Sequence, residues 1–183
     1  MQVQIHPMHP SDWACVRAIY EEGLATGLAT FEVNCPSWEQ WDGAHLAHSR
    51  LVATAGGQVV AWAALAPVSA RDCYRGVAEF SLYVAAAWRG QGIGTRLLNA
   101  LVAESERNEI WTLCANTLAA NTASLRLQET CGFRVVGARE RIAQLDGVWQ
   151  DTVLTERRSH HVGVEKANGD APSQDRVNSA QDQ

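Results

Sequence analysis

One short segment constrains the possible folds more than any other: Arg89-Gly90-Gln91-Gly92-Ile93-Gly94-Thr95, between a predicted strand at 77–84 and a predicted apolar helix at 92–107. Glycines let a backbone approach an anion closely, and the free amides at a helix N-terminus direct positive partial charge toward it. The segment therefore predicts a pyrophosphate site, with the Arg89 guanidinium and the Thr95 hydroxyl as further donors. An ordinary glycine-rich connection is the alternative that the spacing alone leaves open.

The same segment excludes two common nucleotide-binding folds. It lacks the Gly-Lys-Ser/Thr ending of a P-loop, and its glycines do not match the G-x-G-x-x-G spacing of dinucleotide-binding domains. The strand before it follows a hairpin instead of opening a βαβ unit, because Gly56-Gly57 joins two apolar runs. A doubly wound parallel sheet is therefore not expected.

Apolar periodicity and turn signals give the order of the elements. Ser11-Asp12 can cap a first helix, and Ser37 with Gln40 resembles a capping box for a second. Gly132 suits the end of a fourth helix, and Asp146-Gly147 predicts a last hairpin. The predicted strands are 3–5, 51–55, 58–66, 77–84, 110–115, 134–145 and 148–157, and the later helices are 92–107 and 121–130. The order β-α-α-β-β-β-α-β-α-β-β predicts an α/β fold with helices flanking a mixed, mostly antiparallel sheet.

Composition sets the domain count. The chain of 183 residues is 46% hydrophobic, which suffices for one sizeable core. From Ser159 onward the apolar periodicity is lost and polar residues dominate. We expect one domain over 1–158 and a disordered polar tail over 159–183.

Charge and cysteine usage exclude several kinds of site and partner. The formal net charge of -5 argues against nucleic acid, whose partners carry a basic face. No run of about 20 apolar residues and no secretory signal is present, so a cytoplasmic protein without membrane contact is expected.

The five cysteines are scattered without a C-x-x-C pair, so we expect reduced thiols and no metal. A catalytic cysteine is an alternative, but it would need a nearby histidine, and the six histidines lie in terminal or peripheral segments.

Two motifs in the chain carry a family resemblance. Arg-Gly-Gln-Gly-Ile-Gly, after the strand ending Glu79-Phe80-Ser81-Leu82-Tyr83-Val84, is similar to the R/Q-x-x-G-x-G/A coenzyme A signature of the GNAT family of acetyltransferases. Asn121-Thr122-Ala123-Ser124, opening a helix that closes in Glu129-Thr130-Cys131-Gly132-Phe133, resembles the N-x-x-S…E-x-x-G-F segment. The similarity runs from about residue 5 to residue 157. It extends to the branch that acetylates phosphinothricin, methionine sulfoximine and arsinothricin.

The resemblance implies acetyl-CoA as co-substrate, no metal, and a set of cofactor-binding residues. These are Leu82, Tyr83, Val84, Arg89, Gly90, Gln91, Gly92, Ile93, Gly94, Thr95, Asn121 and Ser124. A backbone amide between Leu82 and Val84 would stabilise the thioester oxygen as negative charge develops, and these residues would pair with the pantetheine arm. Asn121 would hydrogen-bond the cofactor and Ser124 would lie near its sulfur, although each could be an ordinary helix cap.

Glu79 is the candidate general base. Acetyl transfer needs a neutral amine, and a positioned carboxylate can take the amine's proton directly or through water. The branch that the chain resembles also has a glutamate here; an edge carboxylate in a surface ion pair is the alternative. Many relatives have a tyrosine acid where this chain has Gln128, so the general acid stays unassigned, with Tyr83 as one candidate.

Two arginines are candidates for substrate recognition. The guanidinium groups of Arg71 and Arg75 suit bidentate binding of carboxylate, phosphinate or arsinate oxygens, and solvated surface arginines are the alternative. The resemblance implies a substrate site made of Glu79 with Arg71, Tyr74, Arg75, Tyr20, Thr30 and Phe31.

The predicted function is N-acetylation, and hence detoxification, of a small anionic amino acid related to glutamate. The resemblance also implies a homodimer whose interface includes the strand around residues 149–152. Two other functions stay open: acetylation of a protein N-terminus or lysine, and non-catalytic sensing of acyl-CoA.

Overall fold

The structure, a computed structural model, describes residues 2–164. The predicted order of strands and helices is confirmed. The strands are β1 (Val3–Pro7), β2 (Leu51–Ala55), β3 (Gln58–Pro67), β4 (Val77–Val84), β5 (Thr112–Leu118), β6 (Arg134–Leu145) and β7 (Val148–Arg158). The α-helices are α1 (Trp13–Leu24), α2 (Trp38–Ala44), α3 (Ile93–Arg107) and α4 (Thr122–Thr130).

The seven strands form one sheet in the order β1-β2-β3-β4-β5-β7-β6. Every neighbouring pair is antiparallel except β4 and β5, which are parallel. The prediction of a mixed, mostly antiparallel sheet is therefore confirmed. The single parallel pair lies in the middle of the sheet, where the chain leaves β4 through the glycine-rich loop (residues 89–95) and α3.

The parallel pair is short, and the sheet opens beyond it. β4 and β5 pair only from Val77 with Thr112 to Glu79 with Cys114. Farther along, residues 80–84 pair with β3 and residues 115–118 pair with β7. Each diverging strand therefore has an edge whose backbone groups must find partners other than the neighbouring strand, because buried amides and carbonyls are costly to leave unpaired.

Helices cover both faces of the sheet and divide its side chains into two cores. α3 packs on one face over Leu65, Phe80 and Leu113, whereas α1 and α2 pack on the other over Trp62. Successive strand residues point to opposite faces. On β4, Phe80 therefore faces α3, while Glu79, like Tyr83, faces α1.

Local signals explain most element boundaries. Ser37 accepts from the Gln40 amide and the Gln40 side chain accepts from the Ser37 amide, so the predicted capping box is present. Asp146 and Gly147 both have positive φ, as a tight hairpin of this type requires. Gly132 has a φ of +83° directly after α4, which confirms its place at the helix end.

The predicted start of β5 at residue 110 is wrong. The Ile110 amide donates to the Ser105 carbonyl at 3.0 Å, which ends α3, and β5 begins only at Thr112 and continues to Leu118. Ile110 is apolar because it is buried in the α3 core, not because it belongs to a strand. Burial and strand pairing give the same apolar signal in a run this short.

The first residues of the predicted tail pack against the domain. Ser159 is buried, and its amide donates to the Trp111 carbonyl at 2.8 Å. The Arg158 guanidinium donates to the carbonyls of Trp111 and Val162 at 2.8 Å and also to that of Gly163. Residues 165–183, the rest of the predicted tail, lie outside the described residues. Over residues 2–164, no helix combines the length and the apolar character that crossing a bilayer requires.

Gly76 allows the turn before β4 to approach Trp111. The Gly76 carbonyl accepts from the amides of Trp111 and Thr112 at 2.8 and 3.0 Å, which fixes the start of the parallel pair. A Cβ at position 76 would stand 2.1 Å from an atom of the Trp111 ring.

We predict that Gly76→Ala lowers the free energy of unfolding by roughly 1–3 kcal/mol, because the added methyl group overpacks this contact. Gly43→Ala is the matched control: a Cβ there meets no atom within 4 Å, and alanine is favoured over glycine in a helix such as α2. Urea unfolding followed by tryptophan fluorescence measures both variants. Equal midpoints for the two would contradict the prediction.

Candidate active site

A cavity of about 1040 Å³ lies where β4 and β5 diverge. Its walls come from the separated strand ends, the N-termini of α3 and α4, and the loop between α1 and α2. Among the predicted site residues, those that line it are Tyr20, Thr30, Phe31, Glu79, Leu82, Tyr83, Val84, Arg89, Gly90, Gly92, Ile93, Gly94, Thr95, Asn121 and Ser124. Gln91, Arg71, Tyr74 and Arg75 do not line it.

The glycine-rich loop has the backbone conformation that its sequence predicts. Gly90 and Gly92 have φ values of +74° and +76°, in the left-handed region that favours glycine. A Cβ at either position would meet no atom within 4 Å, so open space lies above this backbone. Gly92 is the N-cap of α3, which leaves the first amides of the helix without intrahelical acceptors. Loop and helix end therefore fit an anion such as a pyrophosphate.

Two side chains of the glycine-rich loop stabilise the loop itself. The Arg89 Nε donates to the Val84 carbonyl at 3.0 Å, which holds the loop against the end of β4. The Gln91 side chain donates to the Ala87 carbonyl at 3.2 Å, so it stabilises the loop from outside the cavity. At Gly94 a Cβ would stand 3.4 Å from a side-chain carbon of Leu127, so α3 begins close to α4.

Glu79, in the last paired position of β4 and β5, bonds to Asn116, which lies two residues beyond its own pairing partner Cys114 on β5. The Glu79 Oε1 accepts from the backbone amide and the side-chain amide of Asn116 at 3.0 and 3.1 Å. Within the described residues, the Glu79 Oε2 has no hydrogen-bond donor. The carboxylate is thus fixed in orientation with one oxygen free in the cavity, as a base needs if it is to meet a proton.

Tyr83 stands on the α1 side of the cavity in an aromatic group. Its ring centroid is 4.8 Å from those of Trp62 and Tyr20. Burial, the largest influence, raises the pKa of Tyr83 above its ordinary value, and burial also raises the pKa of Tyr20. A phenol with a raised pKa holds its proton more firmly, which counts against Tyr83 as the acid that protonates a leaving group.

Asn121 connects the N-terminus of α4 to the loop between α1 and α2. Its Oδ1 accepts from the Ser124 amide at 3.1 Å, so it caps α4, and its Nδ2 donates to the Leu28 carbonyl at 3.1 Å. The second bond holds the loop between α1 and α2 across the cavity. Both halves of the amide are therefore engaged within the chain, and the cap that sequence analysis gave as the alternative for Asn121 is present.

The two arginines proposed for substrate recognition lie outside this cavity in the single chain. Arg75 is 65% exposed, pairs with Asp72 at 3.5 Å and lies 5.4 Å from the centroid of the Trp111 ring. Arg71 lies over the ring of Tyr74, at 5.7 Å. Their loop precedes β4, so the paired stretch of β4 and β5 separates it from the open part of the sheet. Their contact with substrate stays a prediction.

Sequence reasoning missed the aromatic end of the cavity. His45 lines it, stacks on Trp41 with centroids 4.2 Å apart, and has its Nδ1 2.7 Å from the Trp41 carbonyl. Burial lowers the pKa of His45, which favours the neutral imidazole. The expectation that all six histidines are peripheral is therefore wrong for His45. Its position depends on how α2 packs on the sheet, which no local pattern reports.

The described residues offer no support for cysteine or metal chemistry. Cys114 is the cysteine nearest Glu79 along the paired strands, and burial with the nearby Glu79 charge raises its pKa to about 11. Such a thiol is protonated at neutral pH and is a poor nucleophile. Across residues 2–164, no group of three or more His, Cys, Asp or Glu side chains is placed to hold a metal ion.

The chain is similar to known acetyltransferases in sequence and in structure. A model of the acetyltransferase (GNAT) family matches residues 14–133. The phosphinothricin N-acetyltransferase of Alcaligenes faecalis is 33% identical over 84% of this chain and 81% of that protein. The L-methionine sulfoximine/L-methionine sulfone acetyltransferase of Pseudomonas paraeruginosa is 27% identical over 82% of this chain and 91% of that protein. The crystal structure of a GNAT superfamily phosphinothricin acetyltransferase (Pat) from Sinorhizobium meliloti in complex with AcCoA has a TM-score of 0.82 at 26% identity, and the match covers 92% of this chain and 94% of that one.

Proposed function

This chain belongs to the acetyltransferase (GNAT) family, and we propose that it transfers the acetyl group of acetyl-CoA to the α-amino group of a glutamate-like toxic amino acid. Phosphinothricin, methionine sulfoximine and arsinothricin are the candidate substrates. Acetylation would remove the positive charge of the amine and detoxify the compound, which would give resistance to it.

One observation carries the proposal: an anion site and a fixed carboxylate lie at two ends of one cavity. The glycine-rich loop follows the end of β4, and Glu79 lies five residues before Val84 on the same strand. Five extended residues span roughly 17 Å. Between these points the free edge of β4 offers backbone donors and acceptors. The cavity thus suits a linear molecule with a phosphate at one end and a reactive group at the other.

The chemistry divides between the thioester and the residues of the chain. Acetyl-CoA supplies the acetyl group in an activated form. The loop amides and Arg89 hold the diphosphate, and a backbone amide near Leu82 to Val84 donates to the carbonyl oxygen as negative charge develops on it. Glu79, oriented by Asn116, accepts the proton that the substrate ammonium must lose.

Among the described residues, no arginine or lysine lines the acceptor end of the cavity. On the α1 side the cavity is lined by Tyr20, Thr30 and Phe31, together with the carboxylates of Glu32 and Glu79. The arginines that line the cavity are Arg89 and Arg126, at the loop and on α4. An anionic amino acid needs cations near its own charges. In the single chain Arg71 and Arg75 lie outside the cavity, and we propose that they supply these charges in the homodimer.

A thiol-release assay with acetyl-CoA tests the proposal across free amino acids and peptides. Phosphinothricin, methionine sulfoximine, methionine sulfone and arsinothricin should release coenzyme A, and the N-terminal and lysine peptides should not. Acetylation confined to peptides would instead favour the protein acetyltransferase function. Binding of acetyl-CoA without thiol release from any amine would favour the non-catalytic sensor.

We predict that Glu79→Ala lowers kcat by roughly 100-fold or more, the usual scale for losing a general base. The Kd of acetyl-CoA, measured by calorimetry, should stay near wild type because Glu79 lies at the acceptor end. Glu39→Ala, which removes an exposed carboxylate on α2, is the control and should leave kcat unchanged. Wild-type turnover in Glu79→Ala would remove Glu79 from the mechanism.

For Arg75→Ala we predict a higher KM for the anionic substrate, by roughly 10-fold, because one charge-assisted contact is lost. Arg107→Ala is a matched control, since Arg107 is also exposed and paired with a carboxylate three residues away. Steady-state assays at saturating acetyl-CoA measure both. An equal KM in the two variants would discard the anchoring function of Arg75.

We also propose a homodimer that uses the β6–β7 hairpin. Val135, Ile142, Val148 and Trp149 on this hairpin are large apolar side chains that are at least half exposed, and such clusters commonly mark interfaces. Sedimentation velocity should give the mass of two chains for the wild type. Trp149→Glu should shift the protein toward one chain at equal concentration; a wild-type chain that sediments as a monomer would reject the dimer.

A further inference from the structure

A buried amide network connects α4 to both neighbouring strands. Gln128, on α4, is 1% exposed. Its Nε2 donates to the Thr117 Oγ1 at 2.8 Å and to the Ser124 Oγ at 3.0 Å, while its Oε1 accepts from the Thr155 Oγ1 at 2.6 Å. Both protons of the amide nitrogen are thus committed, and the position of the amide is fixed from three sides.

This network decides what the Ser124 hydroxyl can do. In this orientation of the amide, Nε2 can only donate, so the Ser124 oxygen is an acceptor in that bond. The hydroxyl proton must then point elsewhere, and within residues 2–164 no group accepts a hydrogen bond from it. Ser124 is half-buried and lines the cavity. The hydroxyl therefore offers a proton to whatever occupies the cavity beside α4.

Ser124 and Glu79 lie on opposite faces of the opened sheet. Leu113 and Ala115 face the α3 core, so Thr117 points to the same side, where Gln128 and Ser124 meet it. Glu79 points to the α1 side. In acyl transfer a base is needed where the amine enters, and a hydrogen-bond donor is needed where the thiolate leaves. A base on one face and a free donor on the other meet both needs.

We propose that the Ser124 hydroxyl donates a hydrogen bond to the departing sulfur of coenzyme A and that Gln128 is the residue that positions it; this inference rests on the proposed function. The substrate ammonium first loses one proton to Glu79, which releases it to water. The neutral nitrogen then forms a bond to the acetyl carbon and passes a second proton to Glu79. The carbon–sulfur bond breaks, and its electron pair stays on the sulfur as a thiolate. Ser124 shares its proton with that thiolate without giving it up, and water later protonates the thiolate.

Ser124→Ala is the direct test. It should lower kcat by about 10- to 100-fold, the scale of a hydrogen bond to a charged group, with little change in the Kd of acetyl-CoA, whose sulfur is uncharged. Ser124→Thr keeps the hydroxyl and should retain most of the activity. Thr122→Ala removes an exposed hydroxyl from the same helical turn and should match wild type.

A second measurement separates a contact with sulfur from a merely structural effect. Titration of bound coenzyme A, followed by the ultraviolet absorbance of the thiolate, gives the acid dissociation constant of its thiol. A donor at the sulfur should make that constant about 10- to 100-fold larger in the wild-type complex than in Ser124→Ala. An equal constant in both complexes, or unchanged kcat in Ser124→Ala, would overturn the proposal.

Gln128→Glu tests the positioning function with nearly the same shape. The carboxylate still accepts from Thr155 but cannot donate to Ser124, so the Ser124 proton should turn toward it and away from the sulfur. We expect a loss of kcat similar to that of Ser124→Ala and no further loss in the double variant, because both remove the same contact. Additive losses would overturn the positioning function.

Should this variant fail to fold, the Ser124 measurements still decide the proposal. Wild-type protein that binds acetyl-CoA without releasing thiol would reject the proposed function itself, and the titration would then still report whether Ser124 reaches the sulfur.

Discussion

The two hydrogen bonds between Glu79 and Asn116 are the contact on which the site depends. Parallel strands that stayed paired would close the sheet and leave no space for a ligand. Here the Glu79 carboxylate, in the last paired position of β4, accepts from both amides of Asn116 two residues beyond that position on β5, so the opening begins at a side chain that can also do chemistry. The same contact fixes the orientation of the carboxylate that we propose as the base.

The two cores give this opening its shape. The α3 core holds Phe80 and the start of α3, which aims the helix amides at one end of the cavity. The aromatic core under α1 and α2 forms the other end, where Tyr83 and His45 stand. Asn121 ties the loop between α1 and α2 to α4, so both ends line one cavity. The proposed base Glu79 lies on one face and the Ser124 hydroxyl on the other because side chains alternate along β4 and β5.

Several predictions from sequence depended only on neighbouring residues, and the structure confirms these. The glycine conformations at 90 and 92, the capping box at Ser37 and the turn at Asp146-Gly147 each arise within a few bonds. The wrong start of β5 came from Ile110, whose burial depends on packing under α3. Gln128 was noted only as a missing tyrosine, because its three partners lie 4, 11 and 27 residues away.

The sequence by itself determined the order of the elements, the conformation of the glycine-rich loop and the family resemblance, since these rest on local backbone preferences and short motifs. Only the tertiary structure decided which groups meet. Glu79 reaches Asn116 across 37 residues and Asn121 reaches Leu28 across 93, and neither pair exists until the parallel strands and the helices have packed. The same packing placed His45 inside the cavity and left Arg71 and Arg75 outside it in the single chain. Spacing along a chain carries no information about such contacts, because the sheet that brings distant residues together is held by long-range pairing and burial.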